Sequence, residues 1–281
     1  MSPVKKILVP VDFSEMAQCL VRYAVSMARA TGAELHFLHV YQAPVVSADA
    51  FVYVPDADTL EHMKTNHVDR LRNLVQSECS AQQASIYIAM DGIYGVAEDE
   101  IIAQAKQVSS DLILMGLQGS GYLRERLLGN TATHLFLHAP VPVLAIHPKT
   151  EFAPFRNVVF AYDQRTFNNK ALLRPLRAIT DFLGARLHVL SIVSELHDFP
   201  MLADSLRSNA LDPGFPEDST SYHILQHDDA VEGLKEYCEE NTIDLLTLVA
   251  RKHSWLSNLL SERVSKKTAF RLELPVLALH D

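Results

Sequence analysis

The sequence predicts an α/β protein built twice over, with two tandem five-stranded, mostly parallel, doubly wound (Rossmann-like) domains. Three observations lead there. Short apolar runs of strand length alternate with amphipathic stretches of helix length, which is the pattern of βαβ units. Landmarks of the first half recur in the second at a fixed offset: Asp111 and Pro142 are answered by Asp244 and Pro275, each 133 residues on (244 minus 111, 275 minus 142). At 281 residues, 48% of them hydrophobic, the chain exceeds one ordinary domain and can fill two cores.

The elements follow in order. Ile7 to Val11 reads as a strand ending at Asp12. Ser14 is the expected N-cap of a helix to about Ala30, with Ala17, Leu20, Val21, Ala24 and Met27 on one face and Gly32 closing it. Glu34 to Val40 is the second strand. The mixture of Pro, Val, Ala and Tyr from Tyr41 to about Ala57 suits a partly buried loop, and a long helix then runs to about Cys79. Ser85 to Ala89 is predicted as strand three, and Asp99 to Lys106 as a helix burying Ile101, Ile102 and Ala105. Leu112 to Met115 is an apolar run suited to a fully buried strand. Asn130 to His138 is a helix with Asn130 as N-cap, and Val141 to Ile146 closes the half.

Between the last two strands lie Gly116, Gly119 and Gly129. Glycines let a ligand approach the main chain, and the first N–H groups of the following helix lack partners and carry the positive end of its dipole, so the arrangement suits a phosphate. Two residues separate Gly116 from Gly119 and nine separate Gly119 from Gly129, which resembles the G-x2-G-x9-G-[S/T] nucleotide loop of the universal stress protein family. Lys6-Ile-Leu-Val-Pro-Val-Asp12 resembles that family's first strand, and His138-Ala-Pro-Val-Pro-Val-Leu-Ala145 its closing strand. Asn130 departs from the pattern by standing where the family has Ser or Thr; its amide can still cap the helix and donate to a phosphate oxygen.

The resemblance implies strand order 3-2-1-4-5, which puts strands one and four side by side at the switch point where open α/β sheets bind ligands. It implies an adenine nucleotide, ATP first, with Mg as a companion cation, held by Pro10, Asp12, Val40, Gly116, Gln118, Gly119, Gly129, Asn130 and Thr131. Asp12 would accept from ribose hydroxyls or the adenine amino group, and the Val40 main chain would meet the adenine. Read from the residues alone, Asp12 could equally cap the following helix, Val40 could be plain core, and Arg124 and Arg126 could reach phosphate or sit on a solvated turn. The family role is stress-linked regulation through nucleotide occupancy. Its closing strands pair edge to edge, so Val141 to Ile146 and Pro275 to Leu279 are expected to make an intramolecular pseudo-dimer, with a homodimer as the other arrangement.

In the second half, Asn157-Val-Val-Phe-Ala-Tyr-Asp163 copies Lys6 to Asp12, Asp244 to Val249 copies Asp111 to Gly116, and Leu274 to His280 copies Val141 to His147. The expected domains are 1–149 and 150–281, joined by a short polar stretch near Lys149 to Phe155 that Pro148 and Pro154 flank. Gly116, Gly119, Gly129 and Asn130 map to Val249, Lys252, Glu262 and Arg263. Those side chains obstruct close backbone approach, and Glu262 repels phosphate, so the second domain is expected to keep the fold without the ligand.

The net charge of −9 argues against duplex nucleic acid or an anionic membrane as the main partner. No apolar run approaches the ~18 residues of a membrane span and no signal sequence is evident, which predicts a cytoplasmic protein. Cys19, Cys79 and Cys238 form neither a disulfide framework nor a C-x-x-C motif, and Cys19 reads as packing. His134 with His138, and His223 with His227, are spaced four apart without a zinc motif and read as structural or surface residues; Arg251-Lys252-His253 reads as an exposed loop. There is no G-x-x-x-x-G-K-[S/T] loop and no assembled nucleophile, base and orienter, so a dedicated enzyme is not expected. A nucleotide-free scaffold and a slow ATP hydrolase stand as alternatives.

Overall fold

The structure is a computed structural model that describes residues 4–42, 56–78, 86–117, 130–162, 173–194, 218–250 and 274–280. The first half contains β1 (Lys6–Pro10), α1 (Met16–Thr31), β2 (Glu34–Tyr41), α2 (Ala57–Glu78), β3 (Ile88–Tyr94), α3 (Ala97–Gln107), β4 (Leu112–Gly116), α4 (Asn130–His138) and β5 (Val143–Ile146). The second contains β6 (Asn157–Ala161), α5 (Leu173–Leu183), β7 (Arg186–Val193), β8 (Thr220–Gln226), α6 (Ala230–Glu240), β9 (Leu245–Val249) and β10 (Val276–Leu279).

The strands form one ten-stranded sheet, ordered β3-β2-β1-β4-β5-β10-β9-β6-β7-β8. Each half is therefore a 3-2-1-4-5 arrangement of parallel strands, and the halves meet where β5 and β10 pair antiparallel, with Val276 on Ala145, Leu277 on Leu144 and Ala278 on Val143. This is the pairing expected of the closing strands. It turns two outer edges into an internal ladder and satisfies their backbone groups.

Burial on both faces explains why the strands read as continuous apolar runs instead of alternating ones. Ile7 and Val9 of β1 belong to the core that includes residues of α1, α2 and α5 on one face, while Leu8, Ile113 and Ala145 belong to the core that includes residues of α3, α4 and α6 on the other. Tyr23 of α1 and Phe136 of α4 are fully buried side chains on the two faces, and burial of Phe136 stabilises by about 1.5–3 kcal/mol relative to exposure. Helix α1 ends as expected: Gly32 is left-handed at φ 73°, and its N–H donates to Ala28 O. At the seam between the halves, equivalent pairs such as Val4 and Phe155, Leu112 and Leu245, and Leu144 and Leu277 face one apolar cleft.

The repeat is visible in hydrogen bonds as well as topology. Asp111 Oδ2 accepts the main-chain N–H groups of Lys5 and Lys6 at 2.9 Å each, tying the entrance of β4 to the start of β1. Asp244 Oδ2 does the same to Arg156 and Asn157 at 2.8 Å each.

Three expectations need correction. Strand three runs Ile88–Tyr94 and not from Ser85 to Ala89. The strand runs on through Asp91-Gly92: Asp91 is held by Lys64 Nζ at 3.0 Å, and Gly92 lies where α2 crosses the edge strand, so that a Cβ would meet Lys64 O and Val68 Cγ2 at 3.4 Å. Ser14 is not the N-cap of α1; Glu15 is, without a side-chain cap bond. Asn130 is the first helical residue of α4, one place inside the cap expected of it. Smaller shifts place Tyr41 in β2, start α3 at Ala97 and begin β5 at Val143.

Candidate functional site

Strand β1 stays paired with β2 along its whole length, to Pro10 beside Leu38. Against β4 it pairs only at Ile7 with Leu112 and Leu8 with Ile113. Beyond these the two strands part, while β4 continues beside β5 to Gly116 and Ile146. The parting is the crevice expected at a switch point, and of the sequence-predicted residues Pro10, Val40 and Gly116 stand at or near the carboxyl ends of β1, β2 and β4 beside it.

On the β1 side, Pro10 is half-buried and Asp12 exposed. Asp12 Oδ1 accepts the Ser14 N–H at 3.0 Å, an Asx-type turn that redirects the chain from strand to α1, with Phe13 left-handed at φ 55°. The local carboxylate role weighed for Asp12 is thus present, as a turn and not as a cap. Val40 is half-buried and packs toward the α3 and α4 face. On the β4 side, Gly116 is half-buried and the Leu117 N–H donates to Ile146 O at 2.9 Å. Helix α4 contributes Asn130, exposed, and Thr131, whose Oγ1 donates to Glu98 Oε1 at 2.8 Å. Gln118, Gly119, Gly129, Arg124 and Arg126 lie outside the described residues.

A ring cluster that sequence reading did not single out stands beside Asp12. His39, 8% exposed on β2, places Nδ1 2.6 Å from Val11 O. Its ring meets Phe13 at 4.3 Å and His67 of α2 at 4.8 Å; His67 also stacks on Tyr41 at 4.4 Å, and Arg70 lies over Phe13 at 4.0 Å. Burial holds His39 below the ordinary imidazole range; His67 and Arg70 push the same way, against the Val11 carbonyl and Asp12. His67 is lowered by burial and then by Arg70. The signal was available: His39 and Tyr41 alternate on one strand face, and His67 and Arg70 share a helix face at i, i+3.

Cys79, Arg251, Lys252 and His253 lie outside the described residues, and the other candidates take structural partners. His138 Nδ1 is 3.0 Å from His134 O, His223 Nε2 is 2.8 Å from Ser221 Oγ, and His227 Nδ1 accepts the Asp229 N–H at 2.9 Å. Cys19 Sγ reaches Thr150 O at 3.4 Å, and burial pushes the Cys238 thiol up to about 12. Among the described residues no three His, Cys, Asp or Glu side chains are grouped to hold a metal, and no helix is long and apolar enough to cross a membrane.

Residues 3–147, the stretch that holds this crevice, match the model of the Universal stress protein family. The chain belongs to the universal stress protein family. It is 31% identical over 153 residues to universal stress protein YxiE of Bacillus subtilis, spanning 50% of this chain and 97% of that one. It is 30% identical over 152 residues to universal stress protein MJ0531 of Methanocaldococcus jannaschii, spanning 52% and 85%. Along nearly its whole length it is similar in fold to the crystal structure of a universal stress protein from Archaeoglobus fulgidus, with a TM-score of 0.65 at 16% identity over 97% of this chain and 95% of that one.

Proposed function

We propose that this universal stress protein is a cytoplasmic stress-response regulator whose first domain, residues 1–149, binds an adenine nucleotide, ATP first, and whose second domain, residues 150–281, is a degenerate partner without a nucleotide. The observation that carries the reading is the parting of β1 and β4, which brings Pro10, Asp12, Val40 and Gly116 to one end of the sheet together with the first turn of α4. The residues suit the ligand. Asp12 offers carboxylate oxygens to ribose or adenine donors, the main chain at Val40 serves the base, and the α4 N–H groups together with the segment from Gln118 to Gly129 receive the phosphates. Mg, where present, would share phosphate oxygens with hard oxygen ligands of the protein.

Mass spectrometry of the ligand released from freshly purified protein tests this directly. An adenine nucleotide supports it, and protein that carries none and takes up none on titration leaves the scaffold reading, which the continuous β5–β10 seam favours. Phosphate release proportional to protein, and abolished by changing Gly119, would add slow hydrolysis to binding.

A further inference from the structure

Strand β10 leads into a residue that crosses the seam between the halves. Ala278 lies on Val143 in the antiparallel ladder, so His280, two residues further on, comes level with the connection between α4 and β5. There its Nε2 stands 2.9 Å from the main-chain oxygen of Leu135, in the closing turns of α4. That oxygen already accepts the Ala139 N–H at 3.0 Å, and its second lone pair takes the ring. An imidazole of the second half thus fastens a helix of the first.

The contact fixes the tautomer. A carbonyl oxygen only accepts, so Nε2 carries the proton of the neutral ring and Nδ1 is bare. Nδ1 is buried, with no hydrogen-bond partner among the described residues. A second proton would have to go to this nitrogen and would make it a buried donor without an acceptor. Burial holds His280 below the ordinary imidazole range, against the carbonyls of Leu135 and Phe136, and His138 pushes the same way as burial. His138, the last residue of α4, is the titratable group that faces the ring among the described residues; the connection Ala139-Pro-Val-Pro142, β5 and the end of β9 at Val249 carry none. The repeat holds the same residue at the same place, since His147, 133 positions earlier (280 minus 147), follows β5 as His280 follows β10. The halves differ in their crevice glycines and agree in this histidine.

We infer that His280 is a proton-operated latch between the two halves: neutral, it fastens β10 to α4 across the seam, and protonated, it lets the seam open. The imidazolium leaves Leu135 for water, where both of its N–H groups find acceptors, and the end of β10 goes with it. With the folded pKa below ~6.5, the open seam binds the proton first. The latch is therefore fully closed above about pH 6.5 and is lost as the pH falls from there through the depressed value. None of this depends on what the crevice holds.

Hydrogen–deuterium exchange of the full chain between about pH 7.5 and pH 5, corrected for the intrinsic exchange rate, tests this on the parent and on His280→Gln, whose amide can donate to Leu135 without titrating. In the parent, opening of the peptides that carry Val143–Ile146 and Val276–Leu279, taken relative to Asn157–Ala161 of β6, should rise about tenfold by pH 5. That lies within the ceiling of roughly thirtyfold that a free imidazole pKa of ~6.5 allows there. In His280→Gln the same ratio should change by about twofold or less. A flat parent, or a variant as acid-sensitive as the parent, overturns the inference. Should His280→Gln fail to fold, the parent decides alone: the nitrogen resonances of the His280 ring must pass from the Nε2–H tautomer to imidazolium at the pH where seam exchange rises. A ring that titrates without that rise, or a rise with a different midpoint, overturns the latch as well.

Discussion

At the carboxyl end of β4 the chain presents half-buried Gly116, followed by Leu117 with its N–H on Ile146 O at 2.9 Å. At the carboxyl end of β9 it presents Val249 and Ala250, each 7% exposed, with the Ala250 N–H on Leu279 O at 3.0 Å. The backbone bond is the same and the side chain at the mouth is not. The same contrast recurs two strands over: His39 reaches Val11 O at 2.6 Å, while Ser191, its counterpart in the repeat, donates to Tyr162 O at 3.2 Å. Main-chain ladders and the Asp111 and Asp244 clamps specify the fold and survive duplication. The glycines and the His39 ring have no counterpart at the matching places of the second half, which holds instead a ring cluster of His188, His223 and Tyr237.

The comparison is broken most severely by making the first half resemble the second. Gly129→Glu copies Glu262 into the proposed site, and two unit charges ~4 Å apart at an effective dielectric of ~20 cost about 4 kcal/mol, roughly a thousandfold in ATP affinity. Circular dichroism should show a folded variant, since an acidic residue near a helix N-terminus is locally favourable. A folded variant that binds ATP like the parent would take Gly129 out of the site.

His39→Ser copies Ser191 and keeps a donor for the Val11 carbonyl while removing the ring that joins Phe13 to His67. It should cost about 2 kcal/mol in denaturant unfolding, from lost ring contacts and the space left behind. It should also flatten the acid limb of stability. With the folded pKa of His39 below 6.5, the unfolded chain binds its proton first. This contribution is therefore complete above about pH 6.5 and is lost as the pH falls from there through the depressed folded value. An unchanged acid limb in the variant would assign that loss to other histidines.

The smallest effect sharpens the common part. Asp111→Ala and Asp244→Ala each remove a solvent-facing carboxylate that accepts two main-chain N–H groups, and each should cost about 1 kcal/mol. Similar losses in both halves fit a shared scaffold; a loss confined to Asp111 would tie its clamp to the ligand instead.

Most of the fold was legible because its strands are buried on both faces and its repeat is in register. Strand β3 was misplaced because Asp91-Gly92 reads locally as a turn, and only the crossing of α2, with Lys64 on Asp91, makes it strand. The glycine spacing, Asp12 and Val40 could be read from motif and strand ends. The Glu98–Thr131 bond could not, since it spans 33 residues and depends on how α3 packs on α4. His39 was passed over as one apolar-strand residue among many, because its ring partners come from α2 and from the left-handed turn at Phe13.

The difference between the halves is tested most directly by the stoichiometry of ATP binding to the full chain, measured calorimetrically in the presence of Mg. One ATP per chain is the predicted result, with the single site abolished by Gly129→Glu; two equivalent sites per chain, or none, would contradict a molecule in which one half kept the ligand and the other kept only the fold.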